Sequence, residues 1–220
     1  MTYNEIHSDD NVLYVKQRDE VLQLMKDLER MPAHAQHVAV LALQLFDQMK
    51  EVHQCGEYER KLVEFSALLH DVGWSISGKK HHKHTMRLIN NARFRHISDK
   101  DKKLIAQIAR YHRKSPPNIK HAEFMLLPRE GQMLVKKLAP FVRLADALDR
   151  SHSGRIKDVH CEIDQYSCTF CVSHSKDLEE ETQAIDRKKD MFEEVYHKEV
   201  RFKNLYYQTD KSKNLVIAAS

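Results

Sequence analysis

The stretch Leu-Leu-His-Asp-Val-Gly at residues 68–73 closes an apolar segment and places two ionisable side chains, His70 and Asp71, at its end. The preceding residues 61–69 carry apolar side chains at the spacing of one helix face. Burying an imidazole and a carboxylate without a partner is costly, and a divalent cation satisfies both groups together. The alternative is a core histidine hydrogen-bonded to the neighbouring aspartate. We also predict that Gly73 ends this helix through the left-handed turn that glycine tolerates.

The composition favours one large helical domain, or such a domain with a small appendage. The chain has 220 residues but only 5 glycines and 5 prolines, which suits long helices better than a many-turned β protein. No apolar run approaches the roughly 20 residues needed to span a bilayer, and the N-terminus lacks a signal-peptide pattern. The 4 cysteines are typical of a reducing compartment. We therefore expect a cytoplasmic protein that does not enter a membrane.

Positive charge is concentrated in one part of the chain. Residues 79–120 contain 13 lysines and arginines against two acidic residues, together with five histidines. Such a segment attracts phosphorylated anions, although a solvated set of helix faces is the alternative. Its aromatic residues are Phe94 and Tyr111, too few to suggest the stacking surface of a single-strand nucleic-acid binder. Nucleic acid is therefore not the expected partner.

The periodicity of apolar residues predicts a mainly α protein. Helices are predicted over residues 11–30, 32–52, 61–71, 81–93, 99–112, 131–150 (broken by Pro140) and 177–197. Residues 1–9 are predicted to be a loose leader. Alternating apolar residues predict paired strands at 156–163 and 166–172, and further strands at 199–202 and 215–217. The predicted fold is a mainly α helical bundle over residues 1–152, followed by a small β-α-β (α+β) appendage over residues 153–220.

Several ionisable residues occur at helix ends or inside apolar segments, and all of them are histidine or aspartate. They are His34, His70, Asp71 and Asp146, with His112 and either His82 or His84 in addition. Of His82 and His84, His82 is the predicted ligand. Nitrogen and oxygen ligands of this kind suit Mg, Mn, Fe, Ni or Zn in an open site that retains water. One or two such ions would activate water and offset phosphoryl charge, so the set predicts a phosphoester hydrolase.

Basic residues that neighbour the candidate ligands are predicted to hold substrate phosphates. They are Lys83, His84, Arg113, Lys114 and Arg150. Arginine would do so by bidentate hydrogen bonds and lysine as a point charge, whereas an ordinary surface charge is the alternative reading of each. Cys168 and Cys171 match C-x-x-C, but positions three apart face opposite sides of a strand. We therefore expect no metal or redox role for that pair.

Three motifs in this order resemble the H…HD…D signature of the HD-domain metal-dependent phosphohydrolases. They are His-Ala-Gln-His-Val-Ala from His34, the pair His70-Asp71, and Leu-Ala-Asp-Ala-Leu-Asp at residues 144–149. More narrowly, residues 82–84, 110–114 and 144–152 are similar to the C-terminal HD domain of the exopolyphosphatase / guanosine pentaphosphatase family. The resemblance extends over nearly the whole chain from about residue 20. It implies a first metal ion at His34, His70, Asp71 and Asp146, with Asp71 essential for catalysis.

In that family the phosphatase chemistry belongs to preceding actin-like domains, and nothing in these 220 residues is similar to them. Because the ligand set is complete, the resemblance suggests a metal-dependent activity of the chain itself. The expected substrate is a small phosphorylated anion such as a nucleotide, polyphosphate or a guanosine phosphate. The alternative is a non-catalytic module that binds polyphosphate or guanosine phosphate. The C-terminal appendage could also serve a homodimer.

Overall fold

The computed structural model describes residues 3–175 and 177–206 and is mainly helical, with one small sheet near the C-terminal end. The elements in chain order are α1 (Tyr3–Leu28), α2 (Pro32–Gln48), α3 (Lys50–His53), α4 (Glu57–Leu68), a 3₁₀ turn (Val72–Ser75), α5 (His81–Asn91), α6 (Asp99–Arg110), α7 (Ala122–Met125), α8 (Arg129–Leu148), β1 (His160–Ile163), β2 (Ser167–Val172), α9 (Glu179–Lys188), α10 (Asp190–Tyr196) and β3 (Glu199–Asn204). The predicted fold class is confirmed. None of the described helices is long and apolar enough to cross a membrane.

Helix α8 forms the centre of the helical part. Its second half, residues 138–148, is buried throughout, and the helix contacts α2, α4, α6 and α9. The predicted break at Pro140 does not occur, because α8 continues through that residue. Burial on nearly all sides explains the continuous helix, since tertiary packing compensates for the hydrogen bond that proline cannot donate.

The three strands form a sheet in the order β1-β2-β3. Strands β1 and β2 are antiparallel, with Cys161 opposite Phe170, whereas β2 and β3 are parallel and are connected through α9 and α10. The central strand β2 is buried along its whole length. Apolar residues of the sheet and of the helices belong to one hydrophobic cluster. The division of the chain into two domains at residue 152 stays a prediction.

Some predicted boundaries differ from the observed ones. The leader predicted for residues 1–9 is wrong from Tyr3 onward, because α1 begins there. The sequence of α1 contains no glycine or proline, so a helix nucleated by its packed second half extends into the polar residues. The long helix predicted for 177–197 is two helices, α9 and α10. The strand predicted at 215–217 lies outside the described residues.

The turn after α4 differs from its prediction in a way that affects the site. Helix α4 ends at Leu68, so His70 and Asp71 lie in the turn rather than on the helix. Gly73 does not adopt the predicted left-handed conformation; Gly154 is the described glycine that does. Instead, a Cβ atom on Gly73 would lie 2.1 Å from the carbonyl oxygen of His81. Glycine is required there because the start of α5 packs directly against the turn.

Replacing Gly73 by alanine should therefore destabilise the protein by about 2 kcal/mol or more, because the added methyl group would collide with backbone atoms of α5. Urea unfolding monitored by circular dichroism measures the loss. The matched control is Gly56→Ala, where the nearest atom is the flexible carboxylate of Glu59 at 3.7 Å. Equal effects of the two substitutions would contradict the close approach at Gly73.

Candidate metal centre

Six buried histidine and aspartate side chains converge from five parts of the chain. His34 lies in the first turn of α2, and Asp146 lies in the last turn of α8. His70 and Asp71 come from the turn after α4, His81 begins α5, and His112 follows α6. Each position is a helix end or a turn, where a side chain can point out of its own element toward a shared centre. All six residues are less than a tenth exposed.

The six side chains form two adjacent groups of three. The first group is His34, His70 and Asp146, and the second is Asp71, His81 and His112. Within each group the potential ligand atoms lie within 4.8 Å of one another. Both groups consist of imidazole nitrogen and carboxylate oxygen, a donor set that divalent cations accept.

Asp71 faces both groups at once. Its Oδ2 lies 3.6 Å from Nε2 of His70 in the first group. Its Oδ1 lies 3.1 Å from Nε2 of His81 and 3.5 Å from Nε2 of His112 in the second. The two groups therefore meet at this one carboxylate.

Hydrogen bonds behind the rings orient three of the histidines. In His34, His70 and His112 the Nδ1 atom lies 2.7 Å from an oxygen atom, which belongs to Asp149, Ala67 and Ala109 respectively. The backbone carbonyls of Ala67 and Ala109 only accept, so Nδ1 carries the proton and Nε2 presents a lone pair to the centre. Nε2 of His34 and of His70 has no hydrogen-bond partner among the described residues. A buried ring nitrogen without a hydrogen-bond partner is costly, and a cation near it removes that cost.

The electrostatics of the first group centre on His34. Burial opposes its charged form, but the nearby carboxylates of Asp146 and Asp149 outweigh this and raise the pKa of His34 to about 9. Burial likewise opposes the ionisation of Asp146, yet the neighbouring ammonium of Lys188 and the ring of His34 hold the pKa of Asp146 well below its usual range. These carboxylates attract positive charge, whether it is a proton or a metal ion.

The second group behaves differently because burial outweighs the attraction of its carboxylate. Complete burial holds the pKa of His112 well below the usual value, despite the attraction of Asp71. The ring is therefore neutral at physiological pH, as a metal-ligating imidazole must be. Burial raises the pKa of Asp71, but the nearby rings of His70 and His81 reverse the effect and lower it.

The structure brings His81, rather than the predicted His82 or His84, to the second group. His82 is buried elsewhere, and burial together with neighbouring cations lowers its pKa to about 4. Successive residues on a helix point about 100° apart, so the adjacent residues His81 and His82 do not face the centre together. The packing of α5 against Gly73 selects His81. The sequence carries no signal for this choice.

A cavity of about 360 Å³ is lined by four of the six side chains, Asp71, His81, His112 and Asp146, and by residues of α9. Its walls are rich in cationic side chains, which are Arg113, Lys114, Arg143, Arg150, Arg187 and Lys188. Three of the predicted phosphate-binding residues, Arg113, Lys114 and Arg150, are among them. The other two are not, since Lys83 is exposed on α5 and His84 lies outside the cavity.

The sequence analysis did not identify Lys188 of α9 at the site, nor the buried Arg143 that holds α9 in place. The ammonium of Lys188 donates to Oδ2 of Asp146. Arg143 is buried, and its guanidinium donates to the carbonyl oxygens of Lys188 at 3.0 Å and Lys114 at 2.8 Å. It thereby ties α9 and the segment after α6 to α8. Asp149 was also missed as the partner of His34, although the Asp-x-x-Asp spacing of residues 146–149 could have suggested it.

Comparison with known families identifies the class of protein. The family model for Ppx/GppA phosphatase, domain III, matches residues 17–192. The chain therefore belongs to this family, as the resemblance of its motifs predicted. Membership supports a phosphatase-related hydrolase function at a coarse level.

The pKa of His34 gives a test of the first group. In chelator-treated protein, NMR titration of the His34 ring should have its midpoint near pH 9. Because this lies above the ordinary value of about 6.5, the charged ring stabilises the folded protein fully below pH 6.5, and that stabilisation is lost as the pH rises through 9. Asp149→Asn should lower the midpoint by about one unit or more, since one carboxylate is removed.

The matched control is Asp158→Asn, which changes an exposed aspartate that accepts a hydrogen bond from Gln44 and belongs to neither group. An unchanged His34 midpoint in Asp149→Asn would show that Asp149 does not support the charged ring.

Proposed function

We propose that the chain is an HD-type metal-dependent phosphohydrolase with a two-ion centre. The observation that carries this proposal is the position of Asp71, whose two oxygens face two separate histidine groups at 3.1–3.6 Å. A purely structural ion needs a closed set of ligands around one position, whereas paired groups of three leave room for water and for substrate oxygens.

The residues fit the ions that the proposal requires. His34, His70 and Asp146 would hold one ion, His81 and His112 the other, and Asp71 would contact both. The Nε2 atoms of His34 and His70 support this assignment, since both are buried and have no hydrogen-bond partner among the described residues. When bound, divalent ions of this kind acidify water and offset the negative charge that develops on a transferring phosphoryl group.

The protein itself would bind and orient the phosphorylated substrate. The guanidinium of Arg113 lies 3.1–3.2 Å from the ring nitrogens of His81, so it sits at the edge of the second group. Arg150 and Arg187 approach the same cavity from α8 and α9. Guanidinium groups bind phosphate oxygens through paired hydrogen bonds, and together they would align a phosphoryl group against the ligand side chains.

The expected substrates are small and strongly anionic. The cavity volume is near the lower end for small-molecule sites, which suits a phosphate chain or one nucleotide better than a folded macromolecule. Family membership supports polyphosphate or guanosine phosphates as the substrate class. A non-catalytic binding module would share the cationic cavity but would show no metal-dependent turnover.

Asp71→Ala tests the bridging role directly. We expect hydrolysis to fall by about three orders of magnitude, because removal of the shared carboxylate disrupts both ion positions. Elemental analysis should show the metal content falling from about two ions per chain to one or fewer. Asp158→Asn serves as the control, and circular dichroism checks the fold. A variant that keeps the parent rate would refute the catalytic proposal, and full metal binding without turnover in the parent would favour the binding module.

A second experiment distinguishes the adjacent histidines. His81→Asn should remove one of two ions and reduce turnover by about 100-fold or more, because a ligand of the second group is lost. His82→Asn should keep both ions, since His82 lies outside both groups. Metal stoichiometry from calorimetric titration with Mn²⁺ measures the difference. The opposite outcome would restore His82 as the ligand.

A further inference from the structure

Lys188 reaches the metal centre from a part of the chain far from every proposed ligand. It is the last residue of α9, in the crossover between β2 and β3. Its side chain is 17% exposed, and its ammonium donates to Oδ2 of Asp146. A lysine held this deeply against a candidate metal ligand is costly to desolvate, so a plain surface charge does not account for it.

The pairing divides the two oxygens of Asp146 between different partners. Oδ1 faces the rings, 3.6 Å from Nε2 of His34 and 3.8 Å from Nε2 of His70. Oδ2 faces the ammonium. Lys188 therefore leaves the ring-facing oxygen free for an ion and fixes the orientation of the carboxylate.

The ammonium also has donor capacity to spare. Among the described residues, Nζ of Lys188 has one hydrogen-bond acceptor, Asp146, whereas an ammonium group carries three N–H donors. Lys188 lines the cationic cavity together with Arg113 and Arg150. Its position is fixed from behind, because Arg143 donates to its backbone carbonyl oxygen.

We propose that Lys188 is a phosphate-binding residue of the centre, which α9 supplies to a ligand set built by the helical bundle. It pairs with Asp146 and donates a hydrogen bond to a phosphoryl oxygen of the bound anion. This inference rests on the proposed function, because it places the phosphoryl group beside the same six side chains. It gives α9 a direct role at the site.

The test uses binding rather than turnover, so that it does not depend on catalysis. Calorimetry measures the affinity of the full chain for Mn²⁺ alone, and then of the Mn²⁺-loaded chain for inorganic tripolyphosphate. Lys188→Met keeps the length of the side chain and removes the charge, and Lys188→Arg keeps a donor. The control is Lys189→Met, whose ammonium pairs with Asp186 and Glu193 instead of the centre.

We expect Lys188→Met to bind Mn²⁺ at least as tightly as the parent, since a cation that competes for Asp146 is removed. Its affinity for tripolyphosphate should fall by about tenfold or more, the effect of losing one charge-assisted hydrogen bond. Lys188→Arg should recover part of the affinity, and Lys189→Met should match the parent. If these binding results are found but the parent shows no hydrolysis, the role of Lys188 in phosphate binding would be supported and the proposed enzymatic activity would be refuted.

Three results would overturn the inference. Tripolyphosphate binding by Lys188→Met within twofold of the parent would show that Lys188 only neutralises Asp146. A tenfold loss of Mn²⁺ affinity in that variant would show that Lys188 maintains the ligands rather than binding the anion. Failure of the Mn²⁺-loaded parent to bind tripolyphosphate would show that the centre has no phosphate-binding site.

Discussion

The close approach of α5 to the turn after α4 is the constraint on which the centre depends. Gly73 permits this approach, since any side chain there would collide with the backbone at His81 and Thr85. The hydroxyl of Thr85 then bonds both the amide of Gly73 and the carbonyl of His70. The turn is thereby fixed to the helix that faces it. Because His81 starts that helix, the same contact brings its ring within 3.1 Å of Asp71.

A second layer of hydrogen bonds gives the ring nitrogens their direction. His70 and His112 each donate from Nδ1 to the carbonyl three residues earlier, at the end of α4 and of α6. Those carbonyls lie in the last turns of the two helices, where regular intrahelical donors run out, and each also accepts a hydrogen bond from the backbone amide of the same histidine. Helix termination and histidine orientation are thus one feature. His34 lies at a helix start, where it has no such carbonyl, and Asp149 takes over the function.

The segment after α8 contributes residues to the cavity beside the centre. Helix α9 packs on α8 and forms one wall of the cavity, and Arg143 joins the two by hydrogen bonds from a buried guanidinium. Cations from α6, α8 and α9 consequently surround a centre that is itself rich in carboxylates. This distribution separates two tasks. Carboxylates and imidazoles face inward, where they suit metal ions, while guanidinium and ammonium groups line the opening, where they suit phosphate.

Local features of the sequence were enough for most of the helices, the paired strands and five of the six side chains that converge at the centre. Apolar periodicity predicted α2, α5 and α6 closely, since each buries one face and exposes the other. His34, His70, Asp71, Asp146 and His112 could be singled out because ionisable residues at the ends of apolar segments are rarely there by chance. The order of the motifs predicted the family, whose model matches 176 residues of the chain, from 17 to 192.

Tertiary structure decided which neighbours in sequence actually reach the centre. Three histidines, His81, His82 and His84, lie in the first turn of α5, and the packing of this helix against Gly73 brings His81 to the centre. Lys188 lies 42 residues from Asp146, and its contact exists because the β2–β3 crossover lays α9 across α8. Local spacing encodes secondary structure because the interactions that form a helix or a strand act between residues a few positions apart. Contacts between distant elements depend on how whole surfaces fit, which no local pattern records.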